Sequence, residues 1–292
     1  MSDKPRVLIV DDVEVNSKIL AACLKGKYEM TIARDGQACL DIAITSPQPD
    51  LILLDIEMPG MNGYEVCKQL KNNSLTMNIP VIFVTANDRE ADEEKGLLLG
   101  AVDYITKPLR PLIVAARVNT HITLKQQHDQ LLALATHDQL TGLYNRHYLF
   151  HGGGKKIAYA VRHQLPLSLA MMDVDYFKVI NDQHGHPTGD AVLQAIAQLL
   201  GSQCREEDIV ARFGGEEFII LFEHSDLTHA NKKAEKLRNM IEQLEPEGLI
   251  VTMSFGVVQL EQKDSNLDDM IARADSALYC AKETGRNQVI GV

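Results

Sequence analysis

The sequence contains no C-x-x-C pair, and its five cysteines (Cys23, Cys39, Cys67, Cys204 and Cys280) are odd in number and scattered. Neither a disulfide framework nor a zinc site is suggested by that pattern. No segment reaches the run of about 18 apolar residues that a membrane helix needs. The opening MSDKPRVLIVDD lacks the apolar stretch of a signal peptide. Basic side chains are in the minority, 29 against 40 acidic ones, for a net charge of −11. General nucleic-acid binding needs a basic face, so that class is disfavoured. Small phosphorylated ligands stay open, because a divalent cation supplies positive charge locally. The expectation is a soluble protein of the reducing cytoplasm, with no membrane insertion and no nucleic-acid partner.

What the sequence does have is enough apolar material, 45% of 292 residues, for two domains with real cores. In the first half, short apolar runs alternate with helix-like segments: RVLIV (6–10), LILLD (51–55), VIFVTA (81–86) and DYITKP (103–108). That alternation predicts a parallel sheet, with a site beyond the carboxyl ends of the strands. The residues at those ends are Asp11 and Asp12, Asp55, Thr85 and Lys107. Three acids at one rim repel one another, so a hard divalent cation is the natural occupant. With Lys107 it binds a phosphoryl group, which Asp55 accepts as a carboxylate nucleophile. The plainer alternative is that acids following strands cap helices. VDD, LLDIEMPGMNG, VTA and YITKP together resemble the receiver domain of two-component response regulators, over about residues 5 to 122. The resemblance implies Asp55 as the phosphorylated residue, with a sensor histidine kinase as phosphodonor. It implies magnesium (or manganese) held by Asp12, Asp55 and the Glu57 carbonyl with Asp11 nearby, and a switch made of Thr85, Tyr104 and Lys107.

Between Pro111 and about residue 137 there is neither glycine nor proline, and the composition favours helix. Leu124, Leu131 and Leu134 fall at spacings of seven and three. The segment reads either as a plain linker helix or as a signalling helix that pairs two chains.

The second half reads as βαββαβ with additions, a ferredoxin-like or nucleotidyl-cyclase palm arrangement. Its first helix is expected to break at HGGGKK (151–156), and Gly214-Gly215 to form a two-residue turn. SLAMMDVDYF (168–177) ends in two aspartates two apart, and RFGGEEF places Glu216 and Glu217 behind the turn. This topology lets Asp173 face Glu216. Two carboxylates about 4 Å apart repel by roughly 4 kcal/mol at an effective dielectric near 20. A bound cation removes that cost, and oxygen-only ligands point to magnesium or manganese. Such a pair suits nucleotidyl transfer. An amide and a carboxylate, Asn181 and Asp190, can read the donor edge of guanine. Lys178, Lys282 and Arg286 can meet a triphosphate.

DQLTGLYNR, DVDYFKVINDQHGHPTGD, RFGGEEF and AKETGRN together resemble the GGDEF family of diguanylate cyclases, over about residues 134 to 292. The resemblance implies condensation of two GTP to cyclic di-GMP (c-di-GMP) with release of pyrophosphate by a homodimer. It implies that Asp173, the Val174 carbonyl and Glu216 hold metal, and that Glu216 is general base with Glu217 in support. It puts Asn181 and Asp190 on guanine, and Phe177, Lys178, Lys282 and Arg286 on phosphates. Arg205 and Asp208 match the family's inhibitory RxxD site for product, with Lys236 or Arg238 completing it. The expected organisation is a flavodoxin-like receiver domain (1–122), a linker helix (123–137) and a cyclase domain (138–292). Two other readings remain: a degenerate domain that binds nucleotide without turnover, and a transcriptional regulator, which needs a helix-turn-helix and basic face not seen here.

Overall fold

The computed structural model describes residues 4–86, 90–262, 264 and 266–292. The chain divides into two compact units, Met1–Gln130 and Leu131–Val292.

The first unit runs β1 (Arg6–Val10), α1 (Glu14–Leu24), β2 (Glu29–Ala33), α2 (Gly36–Ile44), β3 (Leu51–Asp55), α3 (Gly63–Asn72), β4 (Val81–Thr85), α4 (Glu90–Leu98) and β5 (Asp103–Thr106). Helix α5 (Pro111–Thr136) follows and runs across the boundary between the two units. The sheet is parallel in the order β2-β1-β3-β4-β5, the flavodoxin-like arrangement. β3 and β4 are buried at every residue, which is why they read as unbroken apolar runs. β2 is an edge strand, EMTIA, with only Ala33 buried, so neither alternation nor a hydrophobic run marks it in the sequence. On α5, Val114, Val118 and Ile122 are buried at four-residue spacing, whereas Leu124, Leu131 and Leu134 are exposed.

The second unit runs α6 (Arg146–His163), β6 (Leu167–Val174), α7 (Phe177–His184), α8 (His186–Gln203), β7 (Ile209–Gly214), β8 (Glu217–Glu223), α9 (Leu227–Glu242), β9 (Met253–Gln259), α10 (Leu267–Glu283) and β10 (Val289–Gly291). Strand order is β10-β9-β6-β8-β7. β6 lies between β8 and β9, antiparallel to both, and β10 adds parallel to β9. The four strands β6 to β9 give the ferredoxin-like palm. Phe218, Phe222 and Phe255 are fully buried in its core with Val192, Ile196 and Leu200 of α8.

Two local expectations are corrected. Helix α6 passes through Gly152, Gly153 and Gly154 without a break. A Cβ on Gly153 would lie 3.0 Å from Leu267 and one on Gly152 3.1 Å from Ile209, so the glycines let the helix approach the palm closely. The hairpin turn is Gly215-Glu216 rather than Gly214-Gly215. Gly214 still belongs to β7, beside a register shift at Phe213, and Gly215 has the positive φ of 54°. The extra residue re-aims the turn. Among the described residues, no helix is long and apolar enough to cross a membrane.

Candidate functional site

In the first unit, parallel pairing puts the strand ends at one rim. Carboxylate oxygens of Asp11, Asp12 and Asp55 lie within 4.8 Å of one another. Asp11 and Asp55 are buried and Asp12 is exposed. Lys107 Nζ lies 2.7 Å from Asp55 Oδ2 and 3.3 Å from Asp11 Oδ2. The other Asp11 oxygen accepts the Val13 N–H at 2.9 Å and Asn16 Nδ2 at 3.1 Å. The Glu57 N–H donates to Asp55 Oδ1 at 3.3 Å. Burial pushes the Asp55 carboxyl above its ordinary range; Lys107 opposes this and Asp11 adds to it. Burial pulls Lys107 down, but its pairing with Asp55 and Asp11 outweighs that and raises it. Thr85 is buried at the end of β4, and Tyr104, half-buried on β5, carries the Arg117 guanidinium 5.6 Å from its ring centre. Three carboxylates against one ammonium, all oxygen donors, fit a hard divalent cation.

In the second unit, β6 brings Asp173 opposite Glu217 of β8 and Ser254 of β9. Glu216 sits in the turn, and its carbonyl accepts the Val174 N–H at 3.3 Å, which ties the turn to the end of β6. From α10, Lys282 Nζ reaches Asp173 Oδ2 at 2.8 Å. Asp173 is buried, which raises its pKa; Lys282 opposes the rise, and Glu216 and Asp175 add to it. Burial raises Glu217 as well, with Asp173 the next cause. Glu217 opens onto a cleft of about 390 Å³ lined also by Asp275, Tyr279 and Lys282. Two carboxylates and the Val174 carbonyl fit magnesium or manganese, and the charge crowding around Asp173 is the observation that favours a cation there.

The raised carboxyls predict a pH dependence. A raised pKa means that the proton competes with metal at higher pH than for an ordinary carboxylate. Manganese affinity, followed by titration calorimetry, is expected to fall as pH drops through a window above the usual aspartate range. An Asp173→Asn variant would show this dependence only from the receiver site.

The nucleotide candidates lie on α7 and α8, which follow β6, and on α10 and the segment after it. Tyr176 is exposed, Phe177 is buried in the palm core, and Lys178 is exposed at the start of α7. Asn181 and Asp190 come from successive helices. A Cβ on Gly189 would fall 2.0 Å from Asn181 Oδ1, so glycine there is what lets the α7 amide pack against α8, one residue before Asp190. Arg286 lies between α10 and β10 with its guanidinium 4.6 Å from the Tyr176 ring centre.

Arg205 and Asp208 border a separate cleft of about 440 Å³, lined also by His229, Lys232, Lys233 and Lys236. Arg205 is exposed. The Asp208 carboxylate is almost wholly enclosed and accepts three donors: the Arg205 N–H at 3.0 Å, the Glu223 N–H at 3.2 Å and Lys233 Nζ at 2.6 Å. Asp208 therefore holds the Arg205 backbone in place. Of the two residues left open by the sequence, Lys236 lines this cleft. Arg238 turns instead to Glu235, Glu242 and Asn287.

Sequence reasoning missed three participants. Lys233 has only its place one helical turn before Lys236 to mark it. Arg212 donates to Asp138 at 3.0 Å and to the Gly215 carbonyl at 2.7 Å, joining DQLTGLYNR to the hairpin turn. Asp175, the second acid of DVD, is buried within hydrogen bonds.

Residues 135–288 match the family described as "Diguanylate cyclase, GGDEF domain", and residues 7–119 match "Response regulator receiver domain". The chain is 33% identical over 299 residues to the response regulator PleD of Caulobacter vibrioides; the match covers 98% of this chain and 65% of PleD, so the chain spans less than two thirds of that relative. It is 40% identical over 174 residues to the diguanylate cyclase VdcA of Vibrio cholerae, covering 57% of this chain and 50% of VdcA. A solved structure of the coiled coil and GGDEF domain of DgcB from Caulobacter crescentus, in complex with c-di-GMP, superimposes with a TM-score of 0.56 at 27% identity, covering 62% of this chain and 98% of that one. The protein is thus a receiver-linked nucleotidyl-cyclase palm. The chain belongs to the GGDEF diguanylate cyclase family and carries a response regulator receiver domain at its N-terminal side.

Proposed function

We propose that this protein is a diguanylate cyclase controlled by phosphorylation of Asp55. The observation that carries the reading is the convergence of Asp173, Glu216, Glu217 and Lys282 from β6, the hairpin and α10. In it, Asn181 and Asp190 hold the guanine of GTP, while Lys178, the Phe177 backbone, Lys282 and Arg286 hold its phosphates. Glu216 accepts the proton of the 3′-hydroxyl, whose oxygen then bonds to the α-phosphorus of a second GTP as pyrophosphate leaves. Repeating the step closes the ring. Asp173, Glu216 and the Val174 carbonyl would hold a magnesium or manganese ion, which when bound would supply charge neutralisation for the leaving phosphate.

Each palm binds one GTP, so two palms face each other and the working form is a homodimer. A sensor histidine kinase supplies the phosphoryl group, in the cytoplasm, and α5 carries the signal between the domains. The match to DgcB, solved with c-di-GMP, supports product recognition by this family. The decisive experiment is incubation with GTP and magnesium, with and without a small-molecule phosphodonor, followed by nucleotide chromatography. Cyclic di-GMP is expected, in greater amount with phosphodonor. Its absence in both conditions would favour a domain that binds nucleotide without turnover.

Product inhibition is assigned to the Arg205 cleft, where Arg205, Lys232 and Lys236 offer cations to a phosphodiester ring. Arg205→Ala is expected to raise the inhibition constant for c-di-GMP at least about tenfold, the order of one lost charge-assisted contact. The initial rate is expected to stay unchanged. Progress curves with added product measure both, and unchanged inhibition would remove the cleft from regulation.

A further inference from the structure

Asp175 takes no part in the metal-holding set or in the nucleotide contacts assigned above. It is 4% exposed. Its Oδ1 accepts Ser254 Oγ at 2.7 Å, and its Oδ2 accepts Thr252 Oγ1 at 2.7 Å and the Asn287 N–H at 3.0 Å. Its own N–H donates to the Thr252 carbonyl at 2.9 Å. One carboxylate at the end of β6 therefore ties together the approach to β9 and the segment between α10 and β10.

Both chain segments at this carboxylate are strained. Tyr176, directly after Asp175, has φ 56°; Arg286 and Asn287 have φ 62° and 45°. Residues other than glycine are disfavoured in this left-handed region and persist there when their surroundings hold them. Here the holding groups are visible. Asp175 fixes the Asn287 backbone, and α9 grips its side chain, with Arg238 Nη1 donating at 2.8 Å and Glu242 Oε1 accepting at 3.1 Å. Within that frame Arg286 stacks its guanidinium over Tyr176, 4.6 Å from the ring centre.

We propose that Asp175 is a positioning residue for the substrate: it holds Tyr176 and Arg286 in the backbone conformation that presents the Arg286 guanidinium to the triphosphate. It thereby sets GTP affinity rather than the rate of the chemical step. The proposal rests on the reading of Arg286 as a phosphate contact. Affinity is the expected readout because Asp173 and the hairpin are held separately, by strand pairing and by the Val174–Glu216 hydrogen bond. A carboxylate is needed because three donors converge on it, and hydrogen bonds to a charged acceptor are the stronger kind. Asparagine keeps the volume but removes the charge and replaces one accepting oxygen with N–H₂.

The test compares the full chain with its Asp175→Asn, Arg286→Met and doubly substituted forms, with magnesium and phosphodonor present. KM and kcat for GTP are measured, together with the Kd of 3′-deoxy-GTP, which lacks the attacking hydroxyl and binds without reacting. Each single variant is expected to raise KM and Kd about tenfold, the order of a lost charge-assisted hydrogen bond, with kcat within about threefold. If Asp175 acts through Arg286, the double variant is no worse than Arg286→Met alone. Additive losses, or a fall in kcat at constant KM, overturn the proposal. Unchanged KM in Arg286→Met instead sinks the phosphate-contact reading, and the proposal with it. Should Asp175→Asn fail to fold, Thr252→Val removes one donor to the same oxygen. It is expected to raise KM about threefold, by the loss of a single hydroxyl hydrogen bond, and an unchanged KM in that variant overturns the proposal.

Discussion

Asp173→Asn is expected to lower c-di-GMP formation by about a hundredfold to a thousandfold, the scale at which removing one electrostatic stabiliser of the reacting centre acts. Asparagine preserves the shape of the side chain at the end of β6 but removes the charge that holds the cation. The fold is expected to survive for a reason that lies in the titration of Asp173. Burial raises its folded-state pKa above the unfolded value. The folded protein therefore binds that proton more tightly, and the associated stability is present below the unfolded pKa and lost as pH rises through the folded one. At neutral pH the wild type carries the penalty of the ionised form, and the amide does not. Lys282 loses its partner but is 31% exposed, so water takes over much of the ammonium's solvation. Without metal, the melting temperature of Asp173→Asn is expected to equal or exceed that of the wild type. On adding magnesium, the palm of the wild type gains stability and that of the variant does not. Nucleotide chromatography and thermal melts check the two halves. Activity within tenfold of wild type would remove Asp173 from the metal set.

Asp55→Asn is expected to abolish the response to phosphodonor, bringing the ratio of stimulated to basal activity to about one. Couplings between two sites commonly amount to about 1–3 kcal/mol, so a wild-type ratio of roughly 5–150 is the span against which the loss is read. The chemistry is specific to the carboxylate. In the proposed control its oxygen would attack phosphorus and form the acyl phosphate as the donor's leaving group departs; an amide oxygen is too weak a nucleophile for this. Lys107 lies 2.7 Å from Asp55, near enough to neutralise the transferred group, and Thr85 ends the neighbouring strand. Because Lys107 also pairs with Asp11 at 3.3 Å, the ammonium keeps a partner in the variant, and the receiver is expected to remain folded. The measurement is cyclase rate with and without phosphodonor, beside phosphate incorporation on the intact chain. Normal stimulation of the variant would detach control from Asp55.

The two sites were not equally legible in the sequence. In the parallel sheet, each site residue stands at the end of a short apolar run. Strand periodicity and the rule that sites form at carboxyl ends are therefore enough to gather Asp11, Asp55, Thr85 and Lys107. The palm is harder, because its site is assembled across antiparallel strands far apart in sequence. The acids of RFGGEEF are visible, but the opposition of Asp173 to Glu217 depends on the register of β6 against β8. The turn shows the limit at single-residue scale. A pair of glycines marks a turn, but the register shift at Phe213 moves it onto Gly215 and Glu216. HGGGKK reads locally as a break because glycine lowers helix propensity by about 1 kcal/mol. Packing of α6 against Ile209 and Leu267 overrides that preference.

The sequence by itself determined the order of runs and helices, the carboxylates and cations available for phosphoryl chemistry, and the acidic net balance. These follow from local composition and period. Tertiary structure alone decided that Lys236 rather than Arg238 lines the Arg205 cleft, although the two lie on one helix two residues apart. It also decided that Asp208 is consumed by Lys233 and backbone donors, and that Arg212 binds Asp138 to the hairpin. Asp175 differs from Asp173 for the same reason: one acid meets Lys282 at the rim, and the other is enclosed by Thr252, Ser254 and Asn287. Residue type sets what a side chain can do; the partners that take up its charge come from segments that only the fold brings together.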